Sequence, residues 1–513
     1  MSVPHRRPAD PGLRPPLLVR ADASPQMGTG HVMRCIALAQ AWLAEGGRVV
    51  LAAASLTPSL EAWLQAEGIA MARLEAETGS PEDVAGTLAL ADREGAGWLV
   101  VDGYGFSGEY QRAIVEAGLP LLAIDDYGHA GHYWAGLVLN QNLDAREEIY
   151  RSREPAASLL LGTRYALLRR EFLSSRDRRR TIATAARRVL VTMGGADPAN
   201  ATLRVIAALG ELDLPGLEAK VVVGGSNPHL DAIRKAARRC RPWLGLVENV
   251  TNMPELMAWA DLAVSSAGTT CWELALMQLP ALLLVLADNQ RPNAQEMERL
   301  GAAVSLGWHG GAAPAAVAAT LRSLLEDPAA RAAMAQAGAA LVDGRGSERV
   351  ACLLARGMVL VRAAGQEDRG LLFGWANDPV TRRMSFRMQP IAWAEHVAWF
   401  DRVVGDPATL FYVGEAWQTG AWAPCGQVRV DPDGTVSMSV APGLRGRGLA
   451  VPLLRAAVLA TRARTPGRPL LAHIKPENDA SQRVFEKVGF RREGDSLVHG
   501  QMCGTFTYGG RLT

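Results

Sequence analysis

The segment LLVRADASPQMGTGHVMRCIALAQAW, residues 17–42, contains an apolar run, a turn with two glycines and a helical stretch in direct succession. The run LLVRA has the length of a buried strand, and the stretch after the glycines has the apolar spacing of a helix. The same alternation continues in three further apolar runs: RVVLAAA at 48–54, WLVVDGYG at 98–105 and LPLLAIDD at 119–126. Such βα units predict a parallel sheet surrounded by helices.

The alternation restarts after a basic stretch at residues 174–188, with runs such as RRVLVTMGG and PALLLVLAD, and predicts a second α/β half. Two such halves form a cleft between them, where open parallel sheets usually bind ligands. From residue 357 the pattern changes to β-rich runs separated by turns, which predicts a mixed α+β domain. The predicted organisation is a disordered lead-in (1–16), a first Rossmann-like half (17–173), a connector (174–188), a second Rossmann-like half (189–356) and a C-terminal domain (357–513).

Length and composition limit the classes of function. The 513 residues exceed what one hydrophobic core normally serves, and 54 lysines and arginines nearly balance 52 acidic residues, so no basic field favours nucleic acid or anionic lipid. The six cysteines contain no C-x-x-C pair, which indicates neither a zinc site nor a disulfide framework. The N-terminal segment lacks the apolar stretch of a signal peptide, and the most apolar run, residues 279–287, is too short to span a membrane. We expect a cytoplasmic protein without a membrane or nucleic-acid partner; no feature of the sequence indicates an oligomeric state.

Gly28, Gly30 and His31 lie between the first predicted strand and the first helix. Glycines there let the backbone approach a ligand closely, and the helix N-terminus favours anionic groups. The positive end of the helix also disfavours the imidazolium form of His31, which leaves a neutral imidazole that can accept a proton. His31 is therefore either a general base or a residue that helps to cap the helix.

A second set of candidates follows the predicted strands of the second half: Gly194, Gly195, Ser266, Gly268, Glu273, Asn289 and Gln290. Backbone N–H groups of small residues at a helix start can bind a pyrophosphate. Glu273 either accepts hydrogen bonds from ribose hydroxyls or only complements the helix dipole. Asp125 and Asp126 end a strand of the first half and could contact substrate, but helix capping is more common for such residues and is the role we expect.

Four segments are more specific than glycine patterns: RADASPQMGTGHVMRCIALAQAW, VDGYG, LLGTRYALLRREF and VTMGGADPAN. In this order they resemble the UDP-2,4-diacetamido-2,4,6-trideoxy-β-L-altropyranose hydrolases of pseudaminic acid biosynthesis, over about residues 17–356. The resemblance implies the fold of two-lobed (GT-B type) glycosyltransferases, with UDP bound by the second half. It further implies that His31 is the base for an inverting, metal-independent hydrolysis and that Tyr104 and Asn289 lie near the sugar and its phosphate.

In the C-terminal domain, Arg445, Gly446, Arg447, Gly448, Leu449 and Ala450 form a loop between a predicted strand and a helix. This R-x-x-G-x-A pattern, with Asn478 after the next strand, resembles the GCN5-related N-acetyltransferases. The resemblance implies that acetyl-CoA is a co-substrate whose diphosphate is held by loop amides. Arg445 and Arg447 are alternatively ordinary surface charges. The segment LLFGWANDPVTRRMSF resembles the acetyltransferase of the same pathway, which acetylates a UDP-4-amino-sugar.

One position departs from the acetyltransferase pattern. Phe485 stands where the family often has a tyrosine that protonates the leaving thiolate, and phenylalanine has no hydroxyl. Tyr508, His473 or an ordered water could replace it, or the domain is slow or inactive.

The predicted function is bifunctional: N-acetylation of a UDP-4-amino-sugar, then hydrolysis of the diacetamido product to free sugar and UDP. One alternative is a UDP-sugar glycosyltransferase, because fold does not fix reaction. Another is a hydrolase whose C-terminal domain is a non-catalytic coenzyme A or nucleotide-sugar binding module.

Overall fold

The computed structural model describes residues 15–24, 27–155, 157–225, 227–240, 243–248, 250, 252–356, 359–418, 421–465, 467–498 and 500–508. The predicted lead-in lies outside the described residues up to residue 14. The chain divides into two compact units, one spanning Pro15–Cys352 and the other containing the chain from Leu353 onward. Within the part of the chain that the structure describes, no helix is long and apolar enough to cross a membrane.

The first half is a seven-stranded parallel sheet. Its strands are β1 (Leu17–Ala21), β2 (Val49–Ala53), β3 (Ala70–Arg73), β4 (Trp98–Asp102), β5 (Leu121–Ile124), β6 (Leu137–Asn140) and β7 (Ser158–Leu161). Its helices are α1 (Gly30–Ala44), α2 (Pro58–Ala66), α3 (Pro81–Glu94), α4 (Gly108–Glu116) and α5 (Arg170–Leu173). The strand order is β3-β2-β1-β4-β5-β6-β7. Strands β1, β2 and β4 are buried along their whole length, as their unbroken apolar runs require. The predicted parallel α/β fold is confirmed.

The second half is a six-stranded parallel sheet with the order β10-β9-β8-β11-β12-β13. Its strands are β8 (Arg188–Thr192), β9 (Glu218–Val223), β10 (Leu244–Glu248), β11 (Leu262–Ser266), β12 (Ala281–Val285) and β13 (Val304–Trp308). Its helices are α6 (Ala201–Gly210), α7 (Leu230–Arg239), α8 (Met253–Trp259), α9 (Thr270–Leu276), α10 (Arg291–Arg299), α11 (Pro314–Glu326), α12 (Pro328–Leu341) and α13 (Gly346–Arg356). It repeats the architecture of the first half, as predicted.

Each parallel sheet has a point where the strand order reverses. In the first sheet this point lies between β1 and β4, and in the second between β8 and β11. The chain leaves the carboxyl ends of two neighbouring strands there in opposite directions, which opens a crevice that ligands of such sheets occupy. The topology therefore brings the loops after β1 and β4 together, and likewise those after β8 and β11.

The C-terminal domain contains a four-stranded antiparallel sheet, β14-β15-β16-β17, and a three-stranded antiparallel sheet, β18-β20-β19. Its strands are β14 (Val359–Ala363), β15 (Leu410–Gln418), β16 (Ala421–Val430), β17 (Val436–Val440), β18 (Leu471–Ile474), β19 (Phe490–Val498) and β20 (Gln501–Tyr508). Its helices are α14 (Arg369–Ala376), α15 (Pro379–Met384), α16 (Trp393–Gly405), α17 (Ala450–Arg464) and α18 (Asp479–Val488). One parallel bridge, Thr435 to Leu471, joins the two sheets, so β17 and β18 start side by side without forming a ladder. The predicted α+β domain is confirmed.

A fully buried arginine fastens β1 to α3. The Arg20 guanidinium donates to both carboxylate oxygens of Asp83, at 2.9 and 3.1 Å, and to Asp22 at 2.7 Å. Asp22 also accepts from the backbone N–H groups of Ala54 and Ser55 beyond β2. Because every charge in this group is buried and paired, the removal of one partner leaves an uncompensated charge in the core.

We predict that Asp83→Ala lowers the free energy of unfolding of the Pro15–Cys352 unit by about 3 to 5 kcal/mol, because Arg20 would lose its bidentate partner inside the core. Urea unfolding followed by circular dichroism measures the change. The matched control is Glu116→Ala, which removes a solvent-exposed partner of Arg112 and should not move the midpoint. Equal midpoints for the two variants would contradict the structural role of Arg20.

Candidate functional site

A histidine–aspartate pair lies at the switch point of the first sheet. His31 stands in the first turn of α1, and its Nδ1 is 2.7 Å from Oδ1 of Asp102, the last residue of β4. An ionised carboxylate only accepts hydrogen bonds, so Nδ1 carries the hydrogen and Nε2 keeps its lone pair. Among the described residues no group is hydrogen-bonded to Nε2. The pair therefore presents an oriented imidazole that can accept a proton at Nε2.

Arg34 holds the Asp102 carboxylate from the other side. One turn after His31 on α1, its guanidinium donates to both oxygens of Asp102 at 2.6 Å and to Asp126 at 2.7 Å. Burial alone would raise the pKa of the Asp126 carboxyl, but the charge of Arg34 and the hydroxyl of Tyr104 hold that pKa well below its usual range. Asp126 is therefore an anion, and Arg34 bridges two carboxylates.

Tyr104 connects this cluster to the second half. Its hydroxyl donates to Asp126 at 2.8 Å and accepts from the side-chain amide of Asn289 at 2.7 Å. Its ring meets the His31 ring edge-on, with 4.9 Å between centroids. Burial and the neighbouring Asp126 raise the pKa of Tyr104 well above its ordinary value, so the phenol stays protonated. The structure thus brings His31, Tyr104 and Asn289 into one contiguous cluster.

The glycine loops of the two halves touch. A Cβ added to Gly195 would overlap the Thr29 side chain, and one added to Gly224 would overlap the Gly195 backbone. Gly28 and Gly194 both have a φ of +81°, where side chains are strained. Among the described residues the backbone N–H groups of Gly30, His31 and Val32 have no hydrogen-bond acceptor. Both loops can therefore bring the backbone close to a ligand.

The remaining candidates of the second half surround the start of α9. A Cβ on Gly268 would lie 3.6 Å from Nε2 of Gln290 and 4.0 Å from Oγ of Ser266, so these three residues are neighbours. The Gln290 side chain accepts from the backbone N–H of Leu286 at 3.0 Å.

Glu273 lies in the first turn of α9 and forms a salt bridge with Arg169 at 3.0 Å. Burial raises the pKa of the Glu273 carboxyl, and the nearby Arg169 charge opposes that rise. Neither the ribose interpretation nor the dipole interpretation is excluded by this pairing, and both stay predictions.

Sequence reasoning missed Asp102 and Arg34, and it gave substrate contact for Asp126 only as the less common alternative to helix capping. The expectation that Asp126 caps a helix is wrong, because the element after β5 in the structure is the strand β6, and Asp126 binds Arg34 and Tyr104 instead. The sequence did contain a signal for two of these residues. Asp102 is the last residue of the apolar run that forms β4, and Arg34 lies three residues after His31, on the same face of α1. Only the strand order shows that these positions meet.

In the C-terminal domain, the loop before α17 has the features of an anion cradle. Gly446 and Gly448 have φ values of +76° and +79°, and a Cβ on either would meet nothing within 4 Å. Among the described residues the backbone N–H groups of Gly448, Leu449 and Ala450 have no hydrogen-bond acceptor. These free donors at the start of a long helix fit the diphosphate of coenzyme A.

The arginines of this loop differ in their surroundings. Arg445 forms a salt bridge with Asp378 at 2.6 Å and donates to the Thr381 hydroxyl at 2.8 Å, which ties the loop to α15. Arg447 is exposed. Asn478 caps α18, with its side chain accepting from the backbone N–H of Ser481 at 3.2 Å. The structure therefore gives Arg445 and Asn478 positioning contacts.

Phe485 and Tyr508 lie on one side of the three-stranded sheet, and His473 lies on the other. Phe485 is buried against Phe490, and the Tyr508 ring packs on that same phenylalanine. His473 lies between two β18 residues whose side chains belong to that core, so its own side chain points to the opposite face. There its Nδ1 is 3.2 Å from the Thr505 hydroxyl.

Family comparisons match two parts of the chain. Residues 188–347 match the glycosyltransferase family 28 C-terminal domain, and residues 359–491 match the acetyltransferase (GNAT) domain. The chain therefore joins a domain of a nucleotide-sugar-related family to an acetyltransferase domain, which indicates an enzyme. A GNAT domain implies the use of acetyl-CoA.

Individual relatives are distant. The chain is 27% identical over 194 residues to the spore coat polysaccharide biosynthesis protein SpsG of Bacillus subtilis, a match that covers 38% of this chain and only 57% of that protein. It is 26% identical over 287 residues to the UDP-2,4-diacetamido-2,4,6-trideoxy-beta-L-altropyranose hydrolase of Campylobacter jejuni, covering 56% of this chain and 97% of that protein. The crystal structure of Acinetobacter baumannii MurG aligns with a TM-score of 0.46 and 16% identity, over 66% of this chain and 99% of that one.

We predict that Gly448→Val abolishes coenzyme A binding, because a side chain there would occupy the space in front of the free amides. Isothermal titration of the full chain with coenzyme A measures the loss. The matched control is Gly500→Val, which imposes the same left-handed strain (φ +76°) at a hairpin turn of the same domain, in open space. Retained binding by Gly448→Val, or equal loss in the control, would contradict a cradle at this loop.

Proposed function

We propose that the Pro15–Cys352 unit hydrolyses a UDP-sugar at the anomeric carbon, with inversion and without a required metal. The observation that carries the proposal is the Asp102–His31 pair, which lies next to Tyr104 and Asn289 and whose Nε2 is hydrogen-bonded to no described residue. Such a pair is the arrangement that activates a weak oxygen nucleophile. The match to nearly the full length of the Campylobacter hydrolase supports the same reaction.

In the proposed reaction Nε2 of His31 takes a proton from a water molecule while the water oxygen attacks the anomeric carbon. The bond from that carbon to the β-phosphate oxygen breaks, and its electron pair leaves with UDP. Asp102 stabilises the imidazolium that forms. Attack from the face opposite UDP inverts the configuration.

Tyr104 and Asn289 have the proposed role of orienting the sugar and its phosphate. Their mutual hydrogen bond joins the first half to the second. Both side chains can therefore contact the same ligand in the cleft. The candidates of the second half have the proposed role of binding UDP: Gly194, Gly195, Ser266, Gly268, Glu273 and Gln290. Gly28 and Gly30 complete the loop that faces them.

We propose that the C-terminal domain acetylates the amino group of a UDP-4-amino-sugar, UDP-4-amino-4,6-dideoxy-N-acetyl-β-L-altrosamine. Acetyl-CoA supplies the activated acetyl group when it is bound. The loop from Arg445 to Ala450, with Asn478, holds the co-substrate. His473 is the proposed proton-transfer group, because Phe485 has no hydroxyl and Tyr508 packs beside it. The acetylated product is the substrate proposed for the first unit, so the two reactions are consecutive.

A UDP-sugar glycosyltransferase is the second candidate, and the match of residues 188–347 to a glycosyltransferase domain favours it. NMR of the full chain incubated with the UDP-4-amino-sugar in water labelled with heavy oxygen, with and without acetyl-CoA, separates the candidates. Hydrolysis after acetylation gives free diacetamido sugar of inverted configuration that carries the label at its anomeric oxygen, and unlabelled UDP. An intact UDP-sugar that is consumed only when a sugar or lipid acceptor is added would favour transfer.

We predict that His31→Gln and Asp102→Asn each lower kcat for hydrolysis by about 10²- to 10⁴-fold, because the first removes the base and the second no longer orients it. UDP affinity, measured by titration, should stay near that of the unmutated chain. The matched control is His132→Gln, which alters a histidine that is bonded to Ser152 and Glu154 instead. Near-normal hydrolysis by His31→Gln, or parallel loss of UDP binding, would remove His31 from the role of base.

We predict that His473→Gln lowers kcat for acetyl transfer by about 10²-fold or more, since it removes the proposed proton-transfer group. Tyr508→Phe, which keeps the ring packed on Phe490, should retain nearly full activity. A thiol-release assay with acetyl-CoA and the UDP-4-amino-sugar measures both. The reverse order of effects would assign the role to Tyr508, and unchanged rates in both variants would favour an ordered water.

A further inference from the structure

The loop that follows β5 adds an aromatic surface to the candidate site. Tyr127 is 51% exposed and Tyr104 is 39% exposed, and their rings lie 5.1 Å apart. Among the described Trp, Tyr and Phe side chains of this unit only Tyr104, Tyr127 and Trp308 are exposed, so two exposed rings in contact are unusual. Exposed tyrosine faces at a polar site can cover apolar parts of a ligand.

A second histidine–aspartate pair adjoins these rings. Nδ1 of His129 forms a short hydrogen bond with Asp125, whose carboxylate also accepts from the Tyr150 hydroxyl at 2.7 Å and the Gly128 N–H at 2.6 Å. These contacts fix the imidazole. Its ring lies 5.5 Å from the Tyr104 ring and 5.9 Å from the Tyr127 ring.

The other nitrogen of His129 has no partner among the described residues. The His129 side chain is only 8% exposed, and Nε2 is buried without a hydrogen bond to any described residue. A buried polar atom without a partner destabilises a fold, so native structures seldom leave one without a ligand or water. Because Nδ1 is bound to Asp125, Nε2 points away from that carboxylate, and it is a buried polar atom of this aromatic cluster that no described residue pairs.

We infer that Tyr127 and His129 form a subsite for the 4-acylamino group of the sugar, with the acyl methyl against the tyrosine rings and an amide polar atom on Nε2 of His129. This inference rests on the proposed function, since it identifies which part of the UDP-sugar the loop recognises. An acylamino group combines an apolar methyl with a planar amide, which matches both features of the cluster. A free amine has the polar atom and lacks the apolar surface, and a hydroxyl likewise lacks it.

The subsite gives the hydrolytic unit a means to select the acetylated sugar. A hydrophobic surface that covers an apolar group binds an analogue that lacks one apolar carbon about 10- to 200-fold less tightly. The substrate with a free amino group would leave the tyrosine rings uncovered. Hydrolysis would therefore follow acetylation and not precede it.

Four variants separate the two features of the subsite. Tyr127→Ala removes the ring, and Tyr127→Phe keeps it. His129→Asn keeps a polar atom near the position of Nδ1, so the contact to Asp125 is retained while Nε2 is lost. His129→Gln places its amide nearer the position of Nε2, so it is the matched comparison for His129→Asn.

The experiment compares two UDP-sugars, the diacetamido compound and its free 4-amine. Kd values are measured in the His31→Gln chain, which does not consume them, and kcat/KM values in the chain with His31. Tyr127→Ala and His129→Asn should weaken binding of the diacetamido compound by about 5- to 100-fold. Their affinity for the free amine and for UDP alone should not change. Tyr127→Phe should bind like its parent, and His129→Gln should lose less than His129→Asn.

The outcomes are distinguishable from those of the proposed function. If both sugars and UDP lose affinity in parallel, the two residues are only structural and the subsite is wrong. If the parent chain binds both sugars equally well, the subsite is also wrong, whether or not hydrolysis occurs. If the chain with His31 hydrolyses neither sugar, the proposed function fails, and the Kd values still decide the subsite.

Discussion

The carboxylate of Asp102 is the group on which the first site depends. Its side chain is fully buried between the imidazole of His31 and the guanidinium of Arg34. A buried anion is costly unless it is paired and hydrogen-bonded, and Asp102 accepts three short hydrogen bonds from these two residues. The same guanidinium binds Asp126, which in turn holds the Tyr104 hydroxyl. One buried charge therefore fixes the loops after β1, β4 and β5 relative to each other.

The two halves of this unit complete one another at the same place. The contact of Gly195 with Thr29 and the bond from Asn289 to Tyr104 both cross the cleft, as does the bond from Asn293 to Asn142 at 3.0 Å. Neither half alone contains the whole set of polar groups. The loops of the two halves fit together because they approach closely at Gly195. Any side chain on Gly195 would push the two loops apart.

The C-terminal domain uses a different physical strategy. Its candidate co-substrate loop offers backbone amides, which carry no net charge and keep their direction because α17 begins there. Arg445 contributes by fastening the loop to Asp378. Binding through backbone N–H groups does not depend on which side chains the loop carries. Proton transfer, in contrast, requires a side chain of a particular type.

The sequence by itself determined the two parallel α/β halves, the α+β domain and the glycine loops, because strand length, apolar periodicity and glycine position are local properties of the chain. It also singled out His31, since a histidine at a glycine-rich helix start is visible in a few residues. Only the tertiary structure decided that Asp102, Arg34 and Asp126 belong with it. Those pairings depend on which strands become neighbours in the sheet. The strand order is set by packing between residues that are distant in the chain.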